Sequence, residues 1–541
     1  MAASLERGNL DVAIVGAGPS GLAMAIELGS RGIRCVVIER RDRAPANPRA
    51  KTTHTRTREH LRRWGIAGKL AAASPFGVDY PTDVMFVTRL AGPQITKFEN
   101  AFNAAPAHDE RYSEHAQWIP QYKLEATLRS HAESLESVEI RPNTEFMSFD
   151  QDEGGVRVRT RDLASGREAE LDCKYLVGAD GARSAVRKQI GAEMVGVEGL
   201  SFNYNVIIRA PGLAEAHDHG AGIFYWQMNP DVPSIIGPMD QGDLWFFSPT
   251  MVSPDSDYSE DEIKDLLVRA TGIDLPYEIV SSDKWVVSRL LADRYRQGRA
   301  FVIGDACHIN PPFGGFGMNM GIADAVDLGW KMTAVIRGWG GPTLLDSYEA
   351  ERRVLHDFVL EESELNHSVL PNQLIREHAD EDSARGERTR AEIAEAIQSS
   401  KRDEFHTLGV VLGYCYHGSP IIVEKEGEAA WVGSREYAPS ARPGCVAPHK
   451  WIDDDISLYD LFGEGFTLLA LHGARPEDLR AADEAAGRGG IPLTLVELDD
   501  PALAELYEAK LVLIRPDQHV AWRGEVWPGD SVLRVITGGA I

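Results

Sequence analysis

The sequence predicts an α/β fold with an inserted, mostly antiparallel sheet and a separate small α/β domain at its end. Within residues 10–39 a short apolar strand runs into a glycine-rich turn, a helix and a second apolar strand. Between residues 197 and 295 the chain has short aromatic strands separated by Gly, Pro and Asp turns. From about residue 440, apolar strands alternate with helices again.

Composition narrows the class of protein before any motif is considered. The chain has 541 residues, with 56 basic and 82 acidic side chains and a net charge of −26. This acidity argues against nucleic acid or an anionic membrane as partner, because both recruit basic surfaces. The five cysteines form no CxxC pair and no metal-ligand spacing, and no apolar run is long enough to span a membrane. We therefore expect a cytoplasmic protein without a metal or a membrane segment.

The first strand leads into a turn with the form of a dinucleotide-binding loop, Gly16-Ala17-Gly18-Pro19-Ser20-Gly21. Gly16 supplies the tight bend, Gly18 a bare backbone for a pyrophosphate and Gly21 close helix–strand packing. The helix that follows presents free N–H groups and the positive end of its dipole to phosphate. Glu39 ends the second strand, where a carboxylate can accept both ribose hydroxyls. These features predict a Rossmann-like domain, and the absence of a second such motif in the sequence favours a resident dinucleotide.

Two further motifs follow later in the chain. One is Tyr175–Ser184 with Arg187, and the other is Gly304–His308 followed by Asn310-Pro311-Pro312. Together with the glycine turn they resemble the class A flavoprotein aromatic hydroxylases, the family of para-hydroxybenzoate and phenol hydroxylases. Arg49-Ala50 and the residues after it are most similar to the branch of 2,4-dichlorophenol 6-monooxygenase. The resemblance spans about residues 8–360 and is looser in the tail.

The resemblance implies FAD as resident cofactor and NAD(P)H and O₂ as co-substrates. It places Glu39 at the adenosine ribose, Arg49 at the pyrophosphate, Gln121 at the flavin and Asp305 at the ribityl chain. Backbone N–H groups at a helix N-terminus, from Gly317 onward, would face the pyrimidine edge, where a helix dipole stabilises the anionic reduced flavin. The full set implied to bind FAD is Gly16, Gly18, Pro19, Ser20, Gly21, Glu39, Arg40, Arg49, Gln121, Asp180, Gly181, Asp305, Gly317, Met318 and Asn319.

Some of these residues also have ordinary structural explanations. Asp180-Gly181 resembles a segment that touches both FAD and NAD(P)H, yet the same dipeptide is common in simple turns. Cys307 and His308 are interpreted as packing residues rather than as a catalytic pair.

The candidate substrate contacts are Tyr225, Trp226, Pro311, Pro312 and Phe313. In the family the proline turn lies beside the ring carbon that is attacked, and a proline carbonyl can accept a substrate hydroxyl. The strand residues can equally be core, because alternate side chains point to opposite faces and the sequence does not say which face is which.

One residue departs from the family pattern. Some phenol hydroxylases have an acid just after the Arg-Ala pair, where it acts as base for the phenol, whereas this chain has Lys51. The catalytic residue that deprotonates the substrate is therefore unknown from the sequence.

The implied activity is hydroxylation of a phenolic or other aromatic small molecule through a flavin C4a-hydroperoxide. One alternative is a flavin Baeyer–Villiger or epoxidising oxygenase acting on a polyketide-type substrate, because the motifs specify the flavin and not the acceptor. A second is a non-catalytic dinucleotide-binding protein, against which the Asp180-Gly181 and Gly304-Asp305 motifs argue.

The expected domains follow from these patterns. Residues 1–196 and 296–365 form the FAD-binding domain, 197–295 the substrate-binding sheet, 366–439 a helical connection and 440–541 the last domain. This tail resembles the thioredoxin-like domain of phenol hydroxylases, but without a CxxC motif it cannot exchange disulfides. We expect it to serve packing and subunit contact in a homo-oligomer.

Overall fold

A computed structural model describes residues 10–42, 50–250, 252–369, 371–425, 427, 431 and 433–539. The strands are β1 (Val12–Val15), β2 (Cys35–Ile38), β3 (Thr52–Thr53), β4 (Val84–Val87), β5 (Gln94–Phe98), β6 (Gln117–Trp118), β7 (Val138–Arg141), β8 (Thr144–Gln151), β9 (Val156–Asp162), β10 (Glu168–Cys173), β11 (Tyr175–Gly178), β12 (Met194–Arg209), β13 (Phe224–Gln227), β14 (Ser234–Asp240), β15 (Leu244–Pro249), β16 (Glu278–Ala292), β17 (Arg296–Gln297), β18 (Ala300–Val302), β19 (His308–Ile309), β20 (Trp451–Asp453), β21 (Ile456–Ser457), β22 (Phe466–Ala470), β23 (Leu493–Glu497), β24 (Leu511–Ile514) and β25 (Val520–Gly524). The α-helices are α1 (Pro19–Gly29), α2 (Thr55–Arg63), α3 (Ala67–Ala72), α4 (Gln121–Glu133), α5 (Ala185–Gln189), α6 (Glu260–Thr271), α7 (Phe316–Arg337), α8 (Ser347–Ser368), α9 (Ala384–Ser400), α10 (Arg402–Phe405), α11 (Leu408–Leu412), α12 (Pro476–Arg488), α13 (Pro501–Tyr507) and α14 (Ser531–Ile536).

The Rossmann-like domain is built on a six-stranded sheet with the order β17-β18-β11-β1-β2-β7. All its pairings are parallel except β17 with β18. The four residues of β1, and those of β2 and β11, are fully buried, as expected for strands covered on both faces. Helices α1 and α7 approach closely, since a Cβ on Gly321 would lie 2.3 Å from Ser20 Oγ. The fold class predicted from the glycine turn is confirmed.

The inserted sheet has eight strands in the order β19-β16-β12-β15-β14-β13-β4-β5. Its pairings are antiparallel except that of β4 with β13, which agrees with the mostly antiparallel sheet that was predicted. It also contains β4 and β5, which lie in the segment that the sequence analysis placed in the FAD-binding domain. Apolar strands such as Val84–Val87 carry no local signal of the sheet they join, because the partner strand is about 140 residues away in the chain.

The C-terminal domain has the strand order β23-β22-β24-β25. Strands β22 and β23 are parallel and are joined by α12, while β24 and β25 form an antiparallel hairpin followed by α14. This is the thioredoxin-like arrangement that was predicted. Phe466 of β22 packs edge-on against Trp330 and Trp339, so the domain shares an apolar core with α7.

A cluster of charged side chains lies beneath this apolar contact. The Arg515 guanidinium donates to Glu351 Oε1 at 2.6 Å and to Asp517 Oδ2 at 2.6 Å. Lys331 Nζ donates to Asp327 at 2.7 Å and also to Glu351. These side chains are all buried. Arg515 therefore connects the C-terminal domain to α7 and α8 through ion pairs that are out of water.

Two of the five cysteines are paired in a way that the sequence did not indicate. Cys415 and Cys445 form a disulfide that connects the helical segment to the start of the C-terminal domain, while Cys35, Cys173 and Cys307 are free and buried. A separation of 30 residues carries no pairing signal of the CxxC kind. In the part of the chain that the structure describes, no helix is both long and apolar enough to cross a membrane.

Candidate cofactor and substrate site

The predicted motifs meet at one edge of the six-stranded sheet. Val15 at the end of β1 is in register with Ile38 of β2 and with Gly178 of β11, and Gly178 is in register with Val302 of β18. The turns that follow these strands therefore lie side by side at the carboxyl edge. Ligands of open α/β sheets bind at this edge.

The glycine turn shows two kinds of requirement. Gly16 has a φ of +104°, and a Cβ on it would lie 2.4 Å from the carbonyl oxygen of Ala179. A Cβ on Gly21 would lie 1.9 Å from the carbonyl oxygen of Gly16. Gly18, in contrast, faces open space, with no described atom within 4 Å of its Cβ position. The outer glycines permit close packing, and the middle one leaves the cradle that a pyrophosphate would fill. Pro19 is the first residue of α1.

The acidic residue at the end of β2 lies over this turn. Glu39 Oε2 accepts from the backbone N–H of Ala17 at 2.8 Å, and Oε1 accepts from that of Arg41 at 2.9 Å. Arg40 follows it and is exposed. Arg49, predicted at the pyrophosphate, lies outside the described residues.

Asp180 has a structural role in its own turn. Its carboxylate accepts from the N–H groups of Ala185 at 2.6 Å and Val186 at 3.2 Å, and so begins α5. Gly181 has a φ of +76°, which favours glycine. The turn-forming explanation of this dipeptide is therefore present in the structure, although the turn lies directly against Gly16.

The N-terminus of α7 is held by a side chain and a strand. Gly315 is the N-cap and lies in the left-handed region. The first backbone N–H groups of an α-helix have no intrahelical acceptor, and in α7 these include the groups of Gly317 and Met318. Asn319 Oδ1 accepts from the N–H of His54, and its Nδ2 donates to the carbonyl of Thr52 at 2.9 Å. The side-chain amide of Asn319 thus ties β3 to the start of the helix.

Gln121 fixes the residue just before this strand. Gln121 Oε1 accepts from the N–H of Ala50 at 3.1 Å, and Gln121 Nε2 donates to Glu125. The predicted flavin contacts Gln121 and Gly317–Asn319 are thereby joined through residues 50–54.

A buried carboxylate supports the turn before Asp305. Asp324 Oδ2 accepts from the N–H of Gly304 at 3.0 Å and lies 3.0 Å from His308 Nε2. Asp324 Oδ1 accepts from Arg352 Nε at 2.7 Å and lies 2.8 Å from His356 Nε2. Asp305 itself is exposed in the short 3₁₀ turn that this network holds.

The electrostatics of this network are those of a single anion among donors. Burial alone would raise the pKa of Asp324, but His356, Arg352 and His308 hold it well below its usual range. Burial lowers the pKa of His356 to about 3, so that its ring is neutral.

Cys307, His308, Asp324 and His356 offer ligand atoms within 4.8 Å of one another, which is a geometry that could hold a metal. The Arg352 guanidinium already occupies one carboxylate oxygen, and hydrogen bonds satisfy the carboxylate without a metal. His308 therefore belongs to this network, with its Nε2 on Asp324.

The two aromatic strand residues predicted at the substrate lie on opposite faces of the inserted sheet. Tyr225 packs with Trp245 under α6, on the face away from the proline turn, and its hydroxyl donates to the carbonyl of Gly220. Tyr225 therefore lies on the opposite face of the sheet from the proline turn, and its contact with substrate stays a prediction. Trp226, one residue later, lies on the opposite face, and its ring centroid is 6.5 Å from that of Phe313. Adjacent strand residues point to opposite faces of a sheet, as these two do.

The side of the sheet that carries Trp226 forms what we call the aromatic wall, defined by Trp118, Phe224, Trp226, Phe246 and Phe313. The Nε1 atom of Trp226 is buried and has no hydrogen-bond partner in the described structure. Pro311 is buried beside this wall and Pro312 is exposed.

Two residues of this site gave no usable signal in the sequence. Trp118 belongs to β6, and its ring lies 5.7 Å from that of Phe224. Lys401, from the helical segment, is fully buried with its Nζ 5.4 Å from the Phe313 ring and 2.7 Å from Glu404. Trp118 lies three residues before Gln121, but no pattern in the sequence marks it as part of the wall. Lys401 lies far along the chain from the motifs, so only the tertiary fold brings it to the wall.

Comparison with known proteins agrees with this geometry. Residues 9–363 match the family described as FAD binding domain, and residues 440–537 match the aromatic-ring hydroxylase C-terminal family. The chain belongs to the FAD-dependent aromatic-ring hydroxylases. The chain is 33% identical to 4-methyl-5-nitrocatechol 5-monooxygenase of a Burkholderia species over 541 residues, 95% of this chain and 93% of that protein.

Solved structures of the family cover nearly the whole chain. The rebeccamycin biosynthetic enzyme RebC with reduced flavin has a TM-score of 0.89 at 33% identity, covering 98% of this chain and 99% of that one. A ternary complex of aklavinone-11 hydroxylase with FAD and aklavinone has a TM-score of 0.81 at 30% identity, covering 99% and 100%. The Rossmann-like domain of this chain is thus an FAD-binding domain.

Proposed function

We propose that this FAD-dependent monooxygenase uses NAD(P)H and O₂ to hydroxylate a phenolic small molecule. The observation that carries the proposal is the aromatic wall, which lies beside the loop that leads to the N-terminus of α7. An aromatic ring held against that wall would meet the flavin edge that the helix is expected to bind. The nitrocatechol specificity named for the Burkholderia relative supports a substrate of this class.

The cofactor residues of the proposal are those that the structure brings to the carboxyl edge. Gly16–Gly21 with Glu39 would hold the adenosine diphosphate, Asp305 the ribityl chain, and the backbone of Gly317–Asn319 the flavin ring. Bound FAD, once reduced by NAD(P)H, supplies the activation of O₂.

The protein's own contribution is to orient the ring and keep water away from it. Phe224, Trp226 and Phe246 are almost fully buried and make the wall apolar. A dry, shaped site of this kind favours oxygen transfer over loss of hydrogen peroxide.

The proposal is tested with the purified holoenzyme and a panel of phenols. We expect the protein to release FAD and not FMN on denaturation, since the loop and Glu39 serve the adenosine half. We expect at least one phenol to accelerate NAD(P)H oxidation, with a hydroxylated product in excess over peroxide. A protein that releases FMN, or that gives only peroxide with every phenol, would contradict the proposal.

A further inference from the structure

Lys51 occupies a position between the candidate cofactor site and the aromatic wall. On one side of it, Ala50 hydrogen bonds with Gln121 through both backbone groups and the Gln121 side chain. On the other side, Thr52 packs against Gly315 and accepts from Asn319. The Lys51 carbonyl accepts from the N–H of Ile119 at 2.7 Å. The backbone of Lys51 is therefore anchored to the segments that would bind the flavin.

The side chain of Lys51 points to the substrate side of this strand. Its Nζ lies over the Phe246 ring, 3.9 Å from the centroid. Phe246 is part of the aromatic wall and packs near Trp118. Neighbouring residues of an extended chain point in opposite directions, and Thr52 faces Gly315 while Lys51 faces the wall.

Among the residues that the structure describes, the Lys51 ammonium has no counter-ion. In the described part of the chain it has neither an ion pair nor a hydrogen bond, and its one specific contact is the face of Phe246. Burial lowers the pKa of Lys51 to about 8, and among the described residues no acid raises it again. A partly buried cation beside apolar rings is unfavourable without an anion. Trp226 Nε1, on the same face, is a second buried donor, and no described residue accepts from it.

We propose that Lys51 binds the ionised hydroxyl of the substrate, so that its ammonium pairs with a phenolate oxygen held on the aromatic wall. The O–H bond of the phenol breaks, the proton leaves to water, and the oxygen keeps the electron pair. The inference rests on the proposed function and specifies its substrate class as phenols acidified by electron-withdrawing groups. An ordinary phenol has a pKa of about 10, as the tyrosine side chain does. Such a phenol ionises too weakly to offer this anion readily at neutral pH.

A lysine at this position would act on the substrate differently from an acid. An acid removes the proton, whereas a cation lowers the pKa of the bound phenol by stabilising its ionised form. Both arrangements yield an electron-rich ring. The lysine achieves this without accepting the proton itself.

The test uses the oxidised holoenzyme and 4-nitrophenol, whose phenolate absorbs visible light while the neutral phenol does not. The pKa of the bound probe is measured by spectroscopic titration of the wild type and of Lys51→Met, Lys51→Arg and Lys97→Met. Lys97 is a matched control, since it lies on β5 of the inserted sheet that carries Phe246, but its ammonium is paired with Asp83 and Glu99. FAD content shows that each variant is folded, and Lys51→Gln replaces Lys51→Met if that variant loses FAD.

We expect the wild type to bind the phenolate about tenfold or more tightly than the phenol, which lowers the probe's pKa by about one unit. Lys51→Met should abolish this preference, Lys51→Arg should retain it because arginine is always charged, and Lys97→Met should leave it unchanged. An equal preference in wild type and Lys51→Met would overturn the inference. The inference would also be overturned if the binding of benzoate depends on Lys51 while the ionisation of bound nitrophenol does not.

Failure of this inference is distinct from failure of the proposed function. If phenols are hydroxylated but the pKa of the bound probe is independent of Lys51, only the assignment of Lys51 is wrong. If no phenol in the panel is hydroxylated, the proposed function is wrong. Pairing of Lys51 with a phenolate is then rejected as a contact with the substrate.

Discussion

Replacing Asp324 by asparagine should destabilise the FAD-binding domain strongly. The carboxylate serves four donors: Gly304 N–H, His308, His356 and Arg352. An amide keeps one acceptor oxygen and turns a second acceptor into a donor, so two partners lose their bond. The Arg352 guanidinium would remain buried with only neutral partners, the Tyr416 hydroxyl and the Met320 carbonyl. Breaking a buried ion pair from one side costs about 3–5 kcal/mol.

The assay is urea unfolding at neutral pH, followed by tryptophan fluorescence and by release of FAD. Asp357→Asn is the control, because Asp357 lies on the same helix as Arg352 but is 69% exposed and pairs with Arg289 at 3.3 Å. An exposed pair contributes about 1 kcal/mol or less. We also expect weaker FAD retention in Asp324→Asn, since Gly304 directly precedes Asp305. If both variants unfold within about 1 kcal/mol of the wild type, the network does not stabilise the fold as argued.

Three further predictions concern pH, the domain interface and the reductive reaction. Burial lowers the pKa of His356 to about 3 and that of His519 to about 4, against about 6.5 when unfolded. Below pH ~6.5 the unfolded chain therefore binds more protons than the folded protein does. The free energy of unfolding should fall between pH ~6.5 and pH ~4 by up to about 1.4 kcal/mol per pH unit for each ring. A free energy of unfolding that stays constant over this range would contradict the prediction. Arg515→Met leaves Lys331 as the one remaining cation beside Glu351 and Asp327 in the described cluster. The C-terminal domain should therefore become cleavable by protease at a lower urea concentration than in the wild type. An unchanged urea midpoint for cleavage would refute the role given to these ion pairs. The sequence has no second dinucleotide loop for NAD(P)H, so NAD(P)H should reduce the flavin slowly without substrate and faster when a phenol is bound. A hundredfold increase in the reduction rate corresponds to about 2.7 kcal/mol. Identical anaerobic stopped-flow reduction rates with and without the phenol would exclude this control of reduction by substrate.

The cofactor side of the site could be predicted because its requirements are local. Gly16 and Gly21 are demanded by contacts within one turn and with the next strand, and such contacts leave a pattern of a few residues. Glu39 is placed by the length of a single βαβ unit. The carboxyl ends of parallel strands share one edge, so the motifs had to meet once each strand was identified.

The substrate side could not be predicted to the same depth. Whether Tyr225 or Trp226 points toward the cofactor domain depends on which face of the inserted sheet packs against that domain. This is a property of tertiary packing. The same holds for β4, which joins this sheet through a parallel pairing with β13. The sequence flagged Lys51 as a departure from the family, but only the fold shows that its ammonium lies on Phe246.

The most direct test of the central claim is product analysis with ¹⁸O₂, using the phenol that most accelerates NAD(P)H oxidation. We expect one ¹⁸O atom in the product, carried as a new hydroxyl on a ring carbon ortho or para to the original hydroxyl, as located by NMR. An ¹⁸O atom found in a lactone or an epoxide, or oxygen that derives from water, would contradict hydroxylation of a phenol at this site.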